Sequence, residues 1–301
     1  MTLRVGRGWS EWSELARRLW TSRRPTVVML RVVFSMAGVA LLLLVLAANH
    51  PGYDAYSYWS IDLHAIYARS QLSWVMGAFR YSPAAAHLLA LLGLLPWGAY
   101  YALLLVGMLL CLVALGGRLG LALLLIPSVV IEVMFGNIDL FVAVALGFGL
   151  VAPPAWAFLL LTKGTPGIVV IWFAARHEWR ELLLAVGTAV VIALPFVVLA
   201  PSEWTDWLRA STQYASTAYG GSQIPALPRV LAAGVLVAVG ARLNWRWTIA
   251  AAGVLALPGL DVKSASAALA ILPLYGFGLS ADWPSLRDRL AAARRARPAP
   301  R

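Results

Sequence analysis

Long apolar blocks separated by short clusters of Gly, Pro, Arg and aromatic residues organise this chain. The blocks run at 27–48, 83–97, 100–115, 119–135, 138–151, 154–175, 182–200, 227–239, 248–257 and 265–279. Several approach the ~20 residues a helix needs to cross a ~30 Å hydrocarbon core, and the Gly and Pro residues between them mark breaks. The pattern predicts an all-α, polytopic transmembrane protein with about ten spans. Block 27–48 is longer than the apolar core of a signal peptide, and no small-x-small cleavage site follows it, so it reads as a retained span. Ahead of it, Trp9, Trp12, Ala16, Leu19 and Trp20 fall on one helical face opposite Glu11, Arg17 and Arg18. That arrangement suits a helix lying on the cytoplasmic surface, and an unstructured basic leader is the competing description. The expected organisation is a basic leader over 1–26, a membrane domain over 27–280 and a basic tail over 281–301. Two longer segments, 49–82 and 201–225, are predicted as outer loops.

Composition strengthens the membrane assignment. Of 301 residues, 61% are hydrophobic and 12% charged, against about 25% charged in soluble domains. A soluble chain of this length cannot hide so much apolar surface in one core. The net charge of +11 does not point to nucleic acid, because arginines crowd the two ends (Arg17, Arg18, Arg23 and Arg24; Arg294, Arg295 and Arg297) beside apolar spans. This is the positive-inside pattern of cytoplasmic termini, with membrane lipid as the partner. Arg176, Arg180, Arg242 and Arg246 also fall inside on the span count, whereas Arg118 falls outside, a conflict in the middle of the topology. Cys111 is the single cysteine, so there is no disulfide framework. Preference for Arg over Lys, with abundant Ala and Gly, fits a GC-rich bacterial genome.

Few residues carry candidate chemistry. Asp54 follows the first block within Gly-Tyr-Asp-Ala-Tyr-Ser-Tyr-Trp, which sets a carboxylate at the outer surface among aromatic rings. A carboxylate partly desolvated by such neighbours takes up a proton more readily than one in water, which suits a general base. A carboxylate that only caps a short helix has the same spacing. If the stretch is helical, Tyr58 and Asp62 share its face. Lys163 lies deep in an apolar block, where a lysine costs about 2.5–3.5 kcal/mol, and the Gly164-Thr165-Pro166-Gly167 run breaks the helix beside it. Two roles compete for it: holding a phosphate in a cavity, or pairing with Glu132 or Asp139. Asn137 and Asp139, in Phe-Gly-Asn-Ile-Asp, occupy a predicted turn on the inner side. Asp261 and Lys263 sit close together on the outer side, where they bind a phosphate or neutralise each other. His64 and His87 lack metal-ligand spacing, and no nucleotide-binding glycine loop occurs.

Four local patterns resemble the polyprenol-phosphate-mannose-dependent α-mannosyltransferases, a bacterial branch of the GT-C glycosyltransferases. Asp54 with Tyr56 follows the first span, as that family's catalytic Asp does. Phe79-Arg80-Tyr81-Ser82-Pro83 is similar to its Tyr-x-Pro start of the second span. Phe-Gly-Asn-Ile-Asp followed by Leu-Thr-Lys-Gly-Thr-Pro resembles its Gly-x-x-Asn and Lys-Pro-x-Pro blocks, with Asp139 at the Asn position and Gly164 where Pro is usual. Gly220 to Arg229 resembles its Asn-Gln-Ser…Arg block. The late Pro-x-Ser-Trp-x-His segment is absent.

The resemblance implies a GT-C fold and inverting transfer of a sugar, mannose first among candidates, from a polyprenyl-phosphate donor to a glycolipid or lipoglycan acceptor. It implies Asp54 as base and Lys163, Arg229, Lys263 and Arg80 as cations for the donor phosphate. Tyr56, Tyr58, Asp62, Tyr81, Asn137 and Gln223 would face substrate. A phosphate leaving group needs no general acid, and on this logic no cofactor or metal is expected. The alternative is a transporter or flippase whose path is lined by Lys163, Glu132 and Asp139. Transporters commonly pair broken helices in two halves, and only the break at Gly164–Gly167 is found.

Overall fold

The computed structural model describes residues 51–69, 76–216 and 225–276. The first predicted span (27–48), the leader, the tail and Gln223 lie outside the described residues. Within them every regular element is helical and no strand occurs.

Helix α1 (Tyr53–Trp59) is short, and the backbone N–H of Gly52 just before it donates to the Met134 carbonyl at 2.8 Å. Helix α2 (Pro83–Leu92) has a proline in its first turn and Ser82 as N-cap, its hydroxyl accepting the Ala85 N–H. Helix α3 (Trp97–Gly116) starts after Pro96 and runs 20 residues, about the length of one crossing. A 3-10 stretch (Gly117–Leu125) leads to α4 (Pro127–Phe135), and α5 (Asp139–Phe148) follows after a bend of 117°. Helix α6 (Trp156–Leu161) ends at a second break. Beyond it a helix over Thr165–Ala175 opens as 3-10 and finishes as α7 (Ile171–Ala175). Then come α8 (Trp179–Leu199), α9 (Pro201–Ser216), α10 (Ala226–Leu243), α11 (Trp247–Leu255), the 3-10 stretch Lys263–Ala270 and α12 (Ile271–Leu274).

Three helices, α3, α8 and α10, are long and apolar enough to cross a membrane, and the bent pair α4–α5 makes a fourth if it is one span. The described residues therefore do not carry the expected number of full crossings. Gly and Pro cut the apolar blocks into pieces: 119–135 divides before Pro127 and 154–175 divides at Gly164. A nine-residue helix such as α4 or α11 covers only about 14 Å of a ~30 Å core. Segment 201–225, predicted as a loop, opens with the 16-residue helix α9.

The main core gathers Met108, Leu112, Leu140, Trp156, Phe173 and Ile249, all essentially inaccessible. A second, aromatic core joins α1 and α2 through Tyr58, Phe79, Tyr81 and Tyr100. Between the two lies a cavity.

Candidate active site

Two helix breaks build the polar end of this cavity. The first is at Gly136, which ends α4 in the left-handed region at φ 65°. Glycine is required there twice over. L-residues seldom adopt that backbone, and an added Cβ would stand 2.6 Å from the Ala55 Cβ of α1. With the Gly52–Met134 hydrogen bond, that close approach sets α1, and with it Asp54, against the break. The fully buried Glu132 reaches across the break, its Oε1 accepting the Asp139 N–H that opens α5. A carboxylate at this helix start meets both an unpaired N–H and the positive end of the helix dipole. The second break is at Gly164, φ 66°, which turns the chain directly after Lys163.

The breaks bring the charged residues together. Lys163 Nζ lies 2.6 Å from Asp139 Oδ1 and 3.4 Å from Asn137 Oδ1. Asn137 Nδ2 donates to Asp54 Oδ2 at 2.9 Å. Lys263 Nζ donates to the same Asp54 oxygen at 2.5 Å, stands 3.8 Å from Asp261 Oδ2, and sits over the Phe135 ring at 5.0 Å. A cation–π contact of this kind contributes up to about 2 kcal/mol when desolvated, enough to offset a good part of the lysine's burial. Both contacts to Asp54 fall on Oδ2, and Oδ1 accepts no hydrogen bond among the described residues.

The cavity measures about 600 Å³, and its polar wall includes Asp54, Arg80, Tyr81, Asn137, Lys163 and Lys263. Its other wall is apolar, with Leu160, Ile168, Ala226 and Val230. Tyr58 and Tyr81 also line it, their hydroxyls 2.7 Å apart. Burial pushes both phenols above their ordinary range, so they remain neutral hydroxyls. Helix α9 covers the cavity with Trp207, Ala210 and Ser211. Two contacts fasten it: Trp207 Nε1 donates to the Arg80 carbonyl at 3.3 Å, and Glu203 lies 2.9 Å from His87 Nε2.

Several sequence-based expectations change. The span count put Asn137 on the inner side and Asp54 on the outer, yet their side chains are in direct contact. The count fails because the chain bends through 117° at Gly136 instead of completing a crossing there. Arg229 does not line the cavity. It is buried, and it donates to the carbonyls of Leu255, Leu257 and Pro258, capping the end of α11. Tyr56 packs against Trp59 and Trp97 away from the cavity. Asp62 is exposed and accepts the His64 N–H; α1 ends at Trp59, so Asp62 and Tyr58 do not share a helical face. Lys163 pairs with Asp139, and it lines the cavity as well. The pairing of Lys263 with Asp54 spans 209 positions, and no sequence signal pointed to it.

A model of glycosyltransferase family 87 matches residues 79–277. No curated protein and no solved structure matches the chain. The matched stretch is about two thirds of the 301 residues and holds Arg80, Tyr81, Asn137, Lys163 and Lys263, with Asp54 ahead of it. An all-helical chain with long apolar helices and charged groups gathered at one cavity agrees with that match, and the transporter alternative gives way to it. This protein belongs to glycosyltransferase family 87 and is a membrane glycosyltransferase of the GT-C type.

Proposed function

We propose that the protein transfers a sugar, mannose first among candidates, from a polyprenyl-phosphate donor to a glycolipid or lipoglycan acceptor, with inversion. The observation that carries this reading is Asp54, anchored on one oxygen with the other open, in a cavity shared with three cationic side chains.

In the proposed reaction Asp54 Oδ1 takes the proton of an acceptor hydroxyl. That oxygen attacks the anomeric carbon as the carbon–oxygen bond to phosphate breaks. The bonding pair leaves with the polyprenyl phosphate, which is stable as an anion and needs no acid. Positive charge placed where the leaving phosphate gains charge lowers the barrier. Lys163, Lys263 and Arg80 are proposed to supply it. Each lysine already faces a carboxylate, so binding the phosphate means exchanging partners, most simply for Lys263, which moves off Asp54 and so releases the base. One hydroxyl hydrogen of the Tyr58–Tyr81 pair remains for an oxygen of the sugar. The apolar wall suits the first units of a polyprenyl chain, and α9 over the cavity excludes water that would hydrolyse the donor.

Sidedness follows from charge. Arg176, Arg180, Arg242 and Arg246 lie at the ends of α7, α8, α10 and α11. Helix α8 rises from there over 21 residues, about 31 Å, to reach α9 at the cavity. Basic residues collect on the cytoplasmic side, so the cavity is assigned to the outer face of a bacterial plasma membrane, with both termini cytoplasmic.

The test is transfer of radiolabelled mannose from polyprenyl-phosphate-mannose to membrane glycolipids by wild type and by Asp54→Asn. A general base contributes about 10²–10⁴-fold, and the variant is expected to lose at least the lower figure with expression unchanged. Equal transfer by both would remove Asp54 from the mechanism.

A further inference from the structure

We infer that Asn137 is a positioning residue, its amide holding the Asp54 carboxylate in register with Lys163, rather than a ligand for substrate. The inference rests on the reading of Asp54 as the general base.

Asn137 is 5% exposed and occupies the first position after the Gly136 break. Its Oδ1 accepts the Ile138 backbone N–H at 2.6 Å. Only the oxygen of the amide can accept, so the backbone decides which way the group faces. The NH₂ end is therefore turned to the other side, where it donates to Asp54 Oδ2 at 2.9 Å. The same Oδ1 is 3.4 Å from Lys163 Nζ. One short side chain thus meets the base, a cation and its own backbone, with one amide hydrogen left over.

The consequence is directional. Asp54 lies on α1, Asn137 on the first break and Lys163 at the second, three segments that no single element holds together. Two contacts on Oδ2, from Asn137 and Lys263, fix how the carboxylate is rotated and so where Oδ1 points. Of the two, Lys263 is long, flexible and proposed to leave for the donor phosphate. Asn137 is the one that persists through the reaction, because its own orientation is set by backbone. The charged groups around Asp54 are Lys263 and Asp261 on one side, Lys163 and Asp139 through Asn137 on another, Glu132 behind the break, and Arg80 on the cavity wall.

Asn137→Asp tests this with the full chain in lipid nanodiscs and radiolabelled polyprenyl-phosphate-mannose as donor. The substitution keeps an oxygen to accept the Ile138 N–H and to face Lys163, and puts a second carboxylate oxygen where the donor to Asp54 was. The expected result is a kcat about 100-fold lower, the scale of a 1 Å misplacement of a reacting group, with the donor KM within about threefold. The acid limb of the kcat profile should also move to higher pH, because a second carboxylate opposes ionisation of its neighbour. Thermal unfolding close to wild type would separate this from loss of structure, which does not move a pH profile.

A kcat within about twofold of wild type overturns the inference. A donor KM that rises while kcat holds also overturns it, returning Asn137 to substrate binding. Asp54→Asn run alongside separates the two readings. Full transfer by that variant sinks the base assignment, whereas loss there with unchanged kcat in Asn137→Asp sinks only the role given to Asn137.

Discussion

Helix α8 and the bent pair α4–α5 come from equally apolar sequence and meet opposite surroundings. Helix α8 reaches a mean hydropathy of 2.8, yet only 11% of that stretch is buried. Val191, Val198 and Leu199 are about 70–80% exposed, which in a membrane means facing lipid. The bent pair is apolar as well, but Glu132 and Asp139 within it are fully inaccessible and Asn137 between its halves nearly so. Hydropathy is blind to this difference, since lipid tails and a protein core are equally apolar. The polar residues tell them apart, because a buried carboxylate or amide needs partners that lipid cannot supply.

Three substitutions would sharpen or break the comparison. The largest effect is expected from Gly136→Ala, which meets both a left-handed backbone and the Ala55 Cβ at 2.6 Å. The two penalties together come to about 3 kcal/mol, and because α1 must shift, sugar transfer should fall further than folded yield. A Gly136→Ala protein with wild-type stability in detergent and wild-type transfer would show that the break does not position Asp54. An intermediate effect is expected from Arg229→Met, which strips the donors from three carbonyls at the end of α11. Loss of about 2 kcal/mol of stability, with the donor KM nearly unchanged, is the signature of a cap. A donor KM that rises tenfold at unchanged stability would instead return Arg229 to the phosphate. The smallest effect belongs to Val191→Ala on the lipid face of α8, expected within about 0.5 kcal/mol and silent in transfer. A loss above about 2 kcal/mol there would mean that the face is packed against protein.

The legible part of this molecule was what depends on local chemistry. Apolar blocks and their Gly and Pro breakers placed most helices close to where they lie, and Lys163, unexplained inside a block, lies on the cavity wall. The count of crossings was not legible, because a bent or 3-10 segment has the same composition as a straight one. The contacts of Arg229 were not legible for a related reason. A motif resemblance identifies an arginine by its neighbours in sequence, whereas its three acceptors come from residues 26 to 29 positions away. The shared face expected for Tyr58 and Asp62 is not there because α1 ends at Trp59, before Asp62.

By itself, then, the sequence determined that this chain belongs in a membrane, where its helices break, and which few ionisable residues sit among apolar neighbours. These follow from the free energy of moving each local segment out of water, which needs no knowledge of the rest of the chain. Only the tertiary structure decided that Asp54 meets Asn137 across 83 positions and Lys263 across 209. Pairings of that kind depend on how helices pack and bend, on a glycine that lets α1 approach Ala55-close to the break, and on an amide turned by one backbone N–H. No local preference encodes them, because each contact exists only once all the others have formed.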